Sequence, residues 1–145
     1  MAVIGDILRT KGSHVRTVGP DASVLDAARL MNEHKIGSVV VAEEGRLVGI
    51  FTERDILRRI VAEARDPADT KVRQVMTTQV ACCRSETTIA EARSVMKNRR
   101  IRHLPVIDEE WRLLGMVSIG DLNAHDATDK EVTIQFLHEY LYGQT

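Results

Sequence analysis

Two seven-residue segments of the 145-residue chain place a hydroxyl three residues before a carboxylate, and each opens on a glycine. They are Gly49-Ile50-Phe51-Thr52-Glu53-Arg54-Asp55 and Gly115-Met116-Val117-Ser118-Ile119-Gly120-Asp121. One reading is structural: this spacing is a capping box, and a helix start needs nothing more. The other is chemical. A helix start offers backbone N–H groups and a positive dipole end to a phosphate. The hydroxyl adds a contact to phosphate or sugar, and a carboxylate one turn on can accept both hydroxyls of a ribose. Gly49 and Gly115 would let the backbone pass close to such a ligand. Finding the turn twice, at equivalent places, strengthens the chemical reading.

The elements that hold these turns emerge when the chain is laid on itself. At an offset of 65, Ala27 falls on Ala92, Met31 on Met96, Ile36 on Ile101 and Val41 on Val106. One extra residue near Glu110 makes the offset 66, and Gly49 then falls on Gly115, Thr52 on Ser118 and Asp55 on Asp121. Ile7-Leu8 precedes the first copy much as Val75-Met76 precedes the second. Each copy opens on a short strand candidate, His14 to Val18 or Val80 to Cys83. A helix follows, capped by Ser23 or Thr88, with Asp26 or Glu91 three residues on. Its apolar face is Val24, Ala27, Ala28 and Met31 in the first copy, and Ile89, Ala92, Val95 and Met96 in the second. Two strands come next, Ser38 to Val41 and Leu47 to Phe51, then His103 to Ile107 and Leu113 to Val117. Their continuous apolar runs predict strands covered on both sides. Pro105 has no N–H for a ladder, which predicts an edge or a bulge. A second helix closes each copy, through Ile56, Leu57, Ile60 and Val61 in the first and from Leu122 in the second. The expected organisation is copy one at 1–63, a linker at 64–71, copy two at 72–126 and a helical tail at 127–145. One copy is too small to bury a large core. The two are expected to pack as a pseudo-twofold α+β module with any cleft between them.

Composition removes several other functions. Aromatic residues are 3% of the chain, too few for a platform that stacks single-stranded nucleic acid. The formal net charge of −1 lacks the basic excess of a duplex binder. The longest apolar runs, such as Val39 to Ala42, fall far short of the about 20 residues that span a bilayer. The first residues show no basic segment followed by an apolar one, so a cytoplasmic location is expected. Cys82 and Cys83 are adjacent, a strained geometry for a bridge, and no chelating partner stands at metal spacing; two reduced thiols are expected. Nothing in the spacing of Cys83, His103 and Asp121 supports a nucleophile and base, so no enzyme is expected. His14, His34, His125 and His138 read as surface residues.

The paired turns, together with Arg100-Ile101-Arg102-His103-Leu104-Pro105-Val106, resemble the CBS domain, here as a tandem pair or Bateman module. The resemblance runs from about Val3 to Asn123. It implies tandem βαββα units packed as an intramolecular pseudo-dimer that binds adenosine-containing ligands between the copies. AMP, ADP, ATP, NAD and S-adenosylmethionine all occur in the family. Carried over by residue, site one joins Thr52 and Asp55 to Ala81, Ile101, Arg102 and His103. Site two joins Ser118 and Asp121 to Arg16, Ile36, Gly37 and Ser38. In each, the resemblance assigns ribose to the aspartate, sugar or phosphate to the hydroxyl, and adenine to the central-strand backbone. Arg102 and His103 stand where the other site has Gly37 and Ser38, so site one is expected to hold phosphates better, helped by Arg99 or Arg100. Copy one departs from the family pattern in having Val40 where copy two has Pro105.

The resulting expectation is a stand-alone regulatory or sensor module that binds AMP, ATP or NAD, with no catalytic cofactor. Its other partners would be a second copy in a homodimer and an effector protein; no nucleic acid or membrane is expected. The competing reading is a ligand-free dimerisation scaffold in which both turns are only caps. The tail, with its capping box at Thr128 to Glu131 and its apolar Phe136, Leu137, Tyr140 and Leu141, is expected to be a helix that folds back on the module or joins two copies.

Overall fold

A computed structural model describes residues 2–127. The expected tail helix lies outside the described residues. The elements in chain order are α1 (Ile4–Lys11), β1 (Thr17–Val18), α2 (Val24–His34), β2 (Ser38–Glu43), β3 (Arg46–Thr52), α3 (Glu53–Asp55, running on in π-helical turns over Ile56–Val61), α4 (Val72–Val75), α5 (Ile89–Arg99), β4 (His103–Ile107), β5 (Leu113–Ser118) and α6 (Ile119–Ala127). The architecture is α+β, and the second half repeats the first.

The repeated helices start where the capping residues place them. Ser23 Oγ accepts from the Asp26 N–H at 3.0 Å, and Thr88 Oγ1 accepts from the Glu91 N–H at 3.1 Å. α2 and α5 end on Lys35 and Arg100, both left-handed at φ 55°. Those two residues reverse the chain, so that Ile36 N–H donates back to Met31 and Ile101 N–H to Met96, each at 3.0 Å. The chain then enters β2 and β4 in the same attitude in both copies.

β2 and β3 pair antiparallel, as do β4 and β5. Thr52 lies opposite Ser38, and Ser118 opposite His103, so the hydroxyl of each turn faces the first residue of its own central strand. β1 adds a parallel strand to copy one, with Thr17 against Val40 and Val18 against Val41. Copy two has only a single bridge there, between Cys83 and Val106. The physical reason is Pro105, which stands where copy one has Val40 and has no N–H to give the incoming segment. Both hairpins carry a register shift at the same place, between Val41 and Ala42 and between Val106 and Ile107, so that bulge belongs to the repeat and is not caused by Pro105.

Three apolar clusters hold the fold together, and they reveal an exchange. Ile4 and Ile7 of α1 are buried with Ala92, Met96, Leu104, Val117 and Leu122 of copy two. Val72 and Val75 of α4 are buried with Val24, Met31, Val41 and Phe51 of copy one. Each short helix thus packs in the copy that it does not precede. Backbone bonds clamp the exchange, with Ile4 N–H on Thr87 and Val72 N–H on Ala22 at 2.8 and 2.9 Å. The third cluster, Val40, Leu47 and Ile107, joins the copies to each other. The helix that closes copy one departs from expectation. Ile60 is buried, but Leu57 and Val61 are 62% and 65% exposed. The π-helical turns set bonds five residues apart, Ala62 to Leu57 and Arg65 to Ile60. That wider turn rotates Leu57 and Val61 away from the core.

Candidate functional site

Each turn is built as a helix start. Thr52 Oγ1 accepts from the Asp55 N–H at 3.1 Å, and the Thr52 N–H donates to Asp55 Oδ2 at 3.0 Å. Ser118 and Asp121 repeat the pair at 3.0 and 2.8 Å. The first helical N–H groups are engaged too. Glu53 N–H donates to the Gly37 carbonyl at 3.0 Å, and Ile119 N–H to the Arg102 carbonyl at 2.8 Å. Three backbone N–H groups at each helix start therefore already have partners within the protein. The role expected of the turn glycines is corrected. A methyl group at Gly49 would lie 2.6 Å from Met76 Sδ, and one at Gly115 would lie 2.8 Å from Leu8 Cδ2. Both glycines make room for an exchanged helix, not for a ligand.

Two cavities open between the copies. Cavity one, of about 360 Å³, is lined by Thr52, Asp55, Ala81, Ile101, Arg102 and His103, all six residues expected for site one. Arg54, Thr77, Gln79 and Arg99 complete its polar wall. Arg99 therefore reaches the cavity, whereas Arg100 faces a separate surface hollow with Lys97 and Ile119. The volume falls in the range of small-molecule sites. Asp55 is buried and held from three sides. Thr77 Oγ1 donates to its two oxygens at 3.1 and 3.3 Å, Arg59 Nε stands 3.8 Å away, and the Thr52 N–H completes the set. Arg59 also donates to the carbonyls of Val75 and Met76, at 3.0 and 3.1 Å. The carboxylate is thus wired to the exchanged helix α4.

Cavity two, of about 450 Å³, is lined by Arg16, Ile36, Gly37, Ser38 and Ser118, with Lys11, His14, Lys35, His103 and Met116. Asp121, the sixth residue expected for site two, is not among the lining side chains. Its Oδ2 takes the Lys11 ammonium at 2.6 Å and the Ser118 N–H at 2.8 Å. Burial alone would raise the Asp121 pKa, but Lys11 and the Ser118 N–H outweigh it and hold the carboxyl below its ordinary range. Cations line both cavities. Arg54, Arg99 and Arg102 around cavity one are matched by Lys11, Arg16 and Lys35 around cavity two.

Ser38 and His103 line both cavities. Burial in the crevice lowers the His103 pKa first. The Lys11 and Arg102 charges lower it further, and Asp121 opposes them. The imidazole is therefore biased towards its neutral form, a hydrogen-bond donor and acceptor between the two spaces. Cys83 is buried in the core of copy two, and burial followed by its neighbour Cys82 pushes its thiol up to about 12. Both cysteines are free. A thiol so placed cannot serve as a nucleophile beside His103 and Asp121.

Sequence reasoning missed Thr77, Lys11 and Lys35. Each turn carboxylate needs a donor from outside its own copy, and the segments after Met76 and Leu8 supply it.

A family model described as the CBS domain matches residues 4–62 and again residues 72–127. The chain belongs to the CBS-domain family. Its two matches are the two copies described above, a tandem CBS pair. The CBS domain-containing protein YhcV of Bacillus subtilis is 34% identical over 130 residues, covering 90% of this chain and 89% of its own length. A CBS-domain-containing protein of Agrobacterium tumefaciens superposes with a TM-score of 0.73 at 38% identity, over 86% of this chain and 99% of that one. The CBS domain pair of protein MJ0100, solved with 5′-methylthioadenosine and S-adenosyl-L-methionine, has the same fold, with a TM-score of 0.69 at 24% identity over 85% of this chain and 98% of that one. No helix among the described residues is long and apolar enough to cross a membrane.

Proposed function

We propose that this CBS pair is a regulatory module that binds an adenosine-containing ligand, of the AMP, ATP or NAD class, in cavity one. The observation that carries the reading is convergence. Thr52 and Asp55 from copy one, and Ala81, Ile101, Arg102 and His103 from copy two, line one space between the copies. Asp55 is the acceptor for the ribose hydroxyls, exchanging its Thr77 bond for them. Backbone at Ala81 and Ile101 meets the base, and Arg102 with Arg99 meets the phosphate. Because Asp55 is bonded to Thr77 and Arg59, a ligand that takes the carboxylate also loosens the α4 segment. That is a physical route from binding to a change of shape or partner. A catalyst would need an activated nucleophile or base, and Cys83 is buried in the core of copy two with its thiol pushed up to about 12.

The module also acts as a homodimer in this reading. Leu57 and Val61 lie one turn apart on the outside of the helix closing copy one, an apolar pair suited to a second copy.

A thermal-shift panel with AMP, ATP, NADH and S-adenosylmethionine tests the reading. A ligand at 100 times its Kd stabilises the native state by about 2.7 kcal/mol, a rise of several degrees. The expected result is such a rise with at least AMP or ATP. No rise with any of the four overturns the proposal in favour of a ligand-free scaffold.

A further inference from the structure

The two ribose-side carboxylates are approached by different donors. In copy one Thr77 sits beside the turn: its hydroxyl donates to Asp55, and its N–H donates to the Ile50 carbonyl at 2.9 Å. In copy two a single side chain fills both roles. Lys11 Nζ donates to Asp121 at 2.6 Å and to the carbonyl of Met116, the equivalent of Ile50, at 3.0 Å. The difference follows from length. α4 is four residues, and the chain leaves it directly into a bridge with β3. α1 is eight residues, so its end projects past β5 and offers a lysine instead of backbone. A neutral hydroxyl has been replaced by a fixed positive charge.

That charge changes what cavity two can accept. Lys11, Arg16 and Lys35 line it together with His14 and His103, and no carboxylate is among its lining residues. Of the carboxylates beside it, Glu53 stands against Gly37, and Asp121 is already paired with Lys11. A neutral nucleoside offers nothing to move the ammonium, and a cationic ligand meets the like charges of Lys11, Arg16 and Lys35 in the cavity wall. A ligand with a phosphate can draw Lys11 off Asp121, which frees the carboxylate for the sugar while the anion takes the ammonium.

We propose that Lys11 makes cavity two selective for phosphate-bearing adenosine ligands, excluding neutral and cationic ones, whereas cavity one, with Thr77 in that place, lacks this filter. The inference rests on the reading of cavity one as an adenosine-ligand site and extends it to cavity two. Lys11 acts as a gate that the ligand's own charge opens.

The test is amide NMR titration of the intact chain with AMP, adenosine and S-adenosylmethionine. Gly37 and Ile36 report cavity two, and Ala81 and Ile101 report cavity one. In the native protein AMP moves the Gly37 and Ile36 amides at least tenfold more tightly than adenosine does, and S-adenosylmethionine leaves them in place. In Lys11→Met that preference collapses: AMP weakens about tenfold at those amides, and adenosine binds at least as well as before. Lys11→Arg keeps the preference, which separates charge from packing. Equal affinity of AMP and adenosine at Gly37 in the native protein would overturn the proposal. So would an unchanged preference in Lys11→Met, or silence of these amides towards all three compounds. Failure of the wider reading shows differently, as silence of Ala81 and Ile101 towards all three.

Discussion

Replacing Ile4 with alanine tests the exchange of helices that builds both cavities. Ile4 is 0% exposed, yet it lies near the start of the chain and packs entirely in the core of copy two. The substitution removes three carbons, a transfer loss of about 2.4 kcal/mol at about 0.8 kcal/mol each. The cavity left behind adds to this, because Ala92, Leu104 and Leu122 around it are themselves fixed, for a total of about 3–4 kcal/mol. At about 2–4 °C per kcal/mol for a chain of this size, the Tm falls by about 10 °C. Urea unfolding followed by far-UV circular dichroism measures the loss. A double-mutant cycle then locates it: Ile4→Ala couples to Leu122→Ala by about 0.5 kcal/mol or more and adds independently to Val41→Ala, which belongs to copy one. A loss below about 0.5 kcal/mol, the cost of a surface change, would refute the exchanged packing. So would coupling to Val41 in place of Leu122.

Three further outcomes follow from the same contacts. Gly49→Ala costs about 1–3 kcal/mol, since its methyl meets the Thr77 carbonyl at 3.0 Å as well as Met76. Gly115→Ala costs less, because only the tip of Leu8 has to move; equal Tm losses would contradict this. His103 has its pKa lowered by burial and then by Lys11, so it contributes stability above the unfolded value near 6.5, lost as pH falls towards the folded one. Urea midpoints of the native protein therefore decline between about pH 7 and 5.5 more steeply than those of His103→Gln, and parallel profiles would count against the assignment. With a thiol reagent at pH 8, Cys83 stays unmodified in the native protein and reacts in denaturant, as a buried thiol held up at about 12 requires; rapid native labelling at Cys83 would contradict its burial.

Periodicity and capping carried most of the fold. Ser23 and Thr88 start α2 and α5 where their capping spacing places them, because a local side-chain bond decides a helix start. The offset between the copies carried the pairing of turn and central strand. What it could not carry was which copy each flanking helix joins. Ile7 and Val75 look alike in sequence, and burial in either core would satisfy them; only the clamp of Val3 on Thr88 and Lys71 on Ser23 selects the exchange. The candidate site divided along the same line. Residues on regular elements, such as Thr52 and His103, were legible from the repeat. Lys11 and Thr77 were not, since their roles depend on how far an exchanged helix projects. The short first strand of copy two was overestimated because the effect of one missing N–H, at Pro105, falls on its neighbour.

The central claim is that the space between the copies, walled by Thr52, Asp55, Arg102 and His103, holds an adenosine ligand. A crystal structure grown with AMP tests it most directly. The account predicts the ribose hydroxyls on Asp55, the base against Ala81 and Ile101, and the phosphate towards Arg102. Well-ordered AMP lying outside the crevice, with Asp55 still bonded to Thr77, would contradict it.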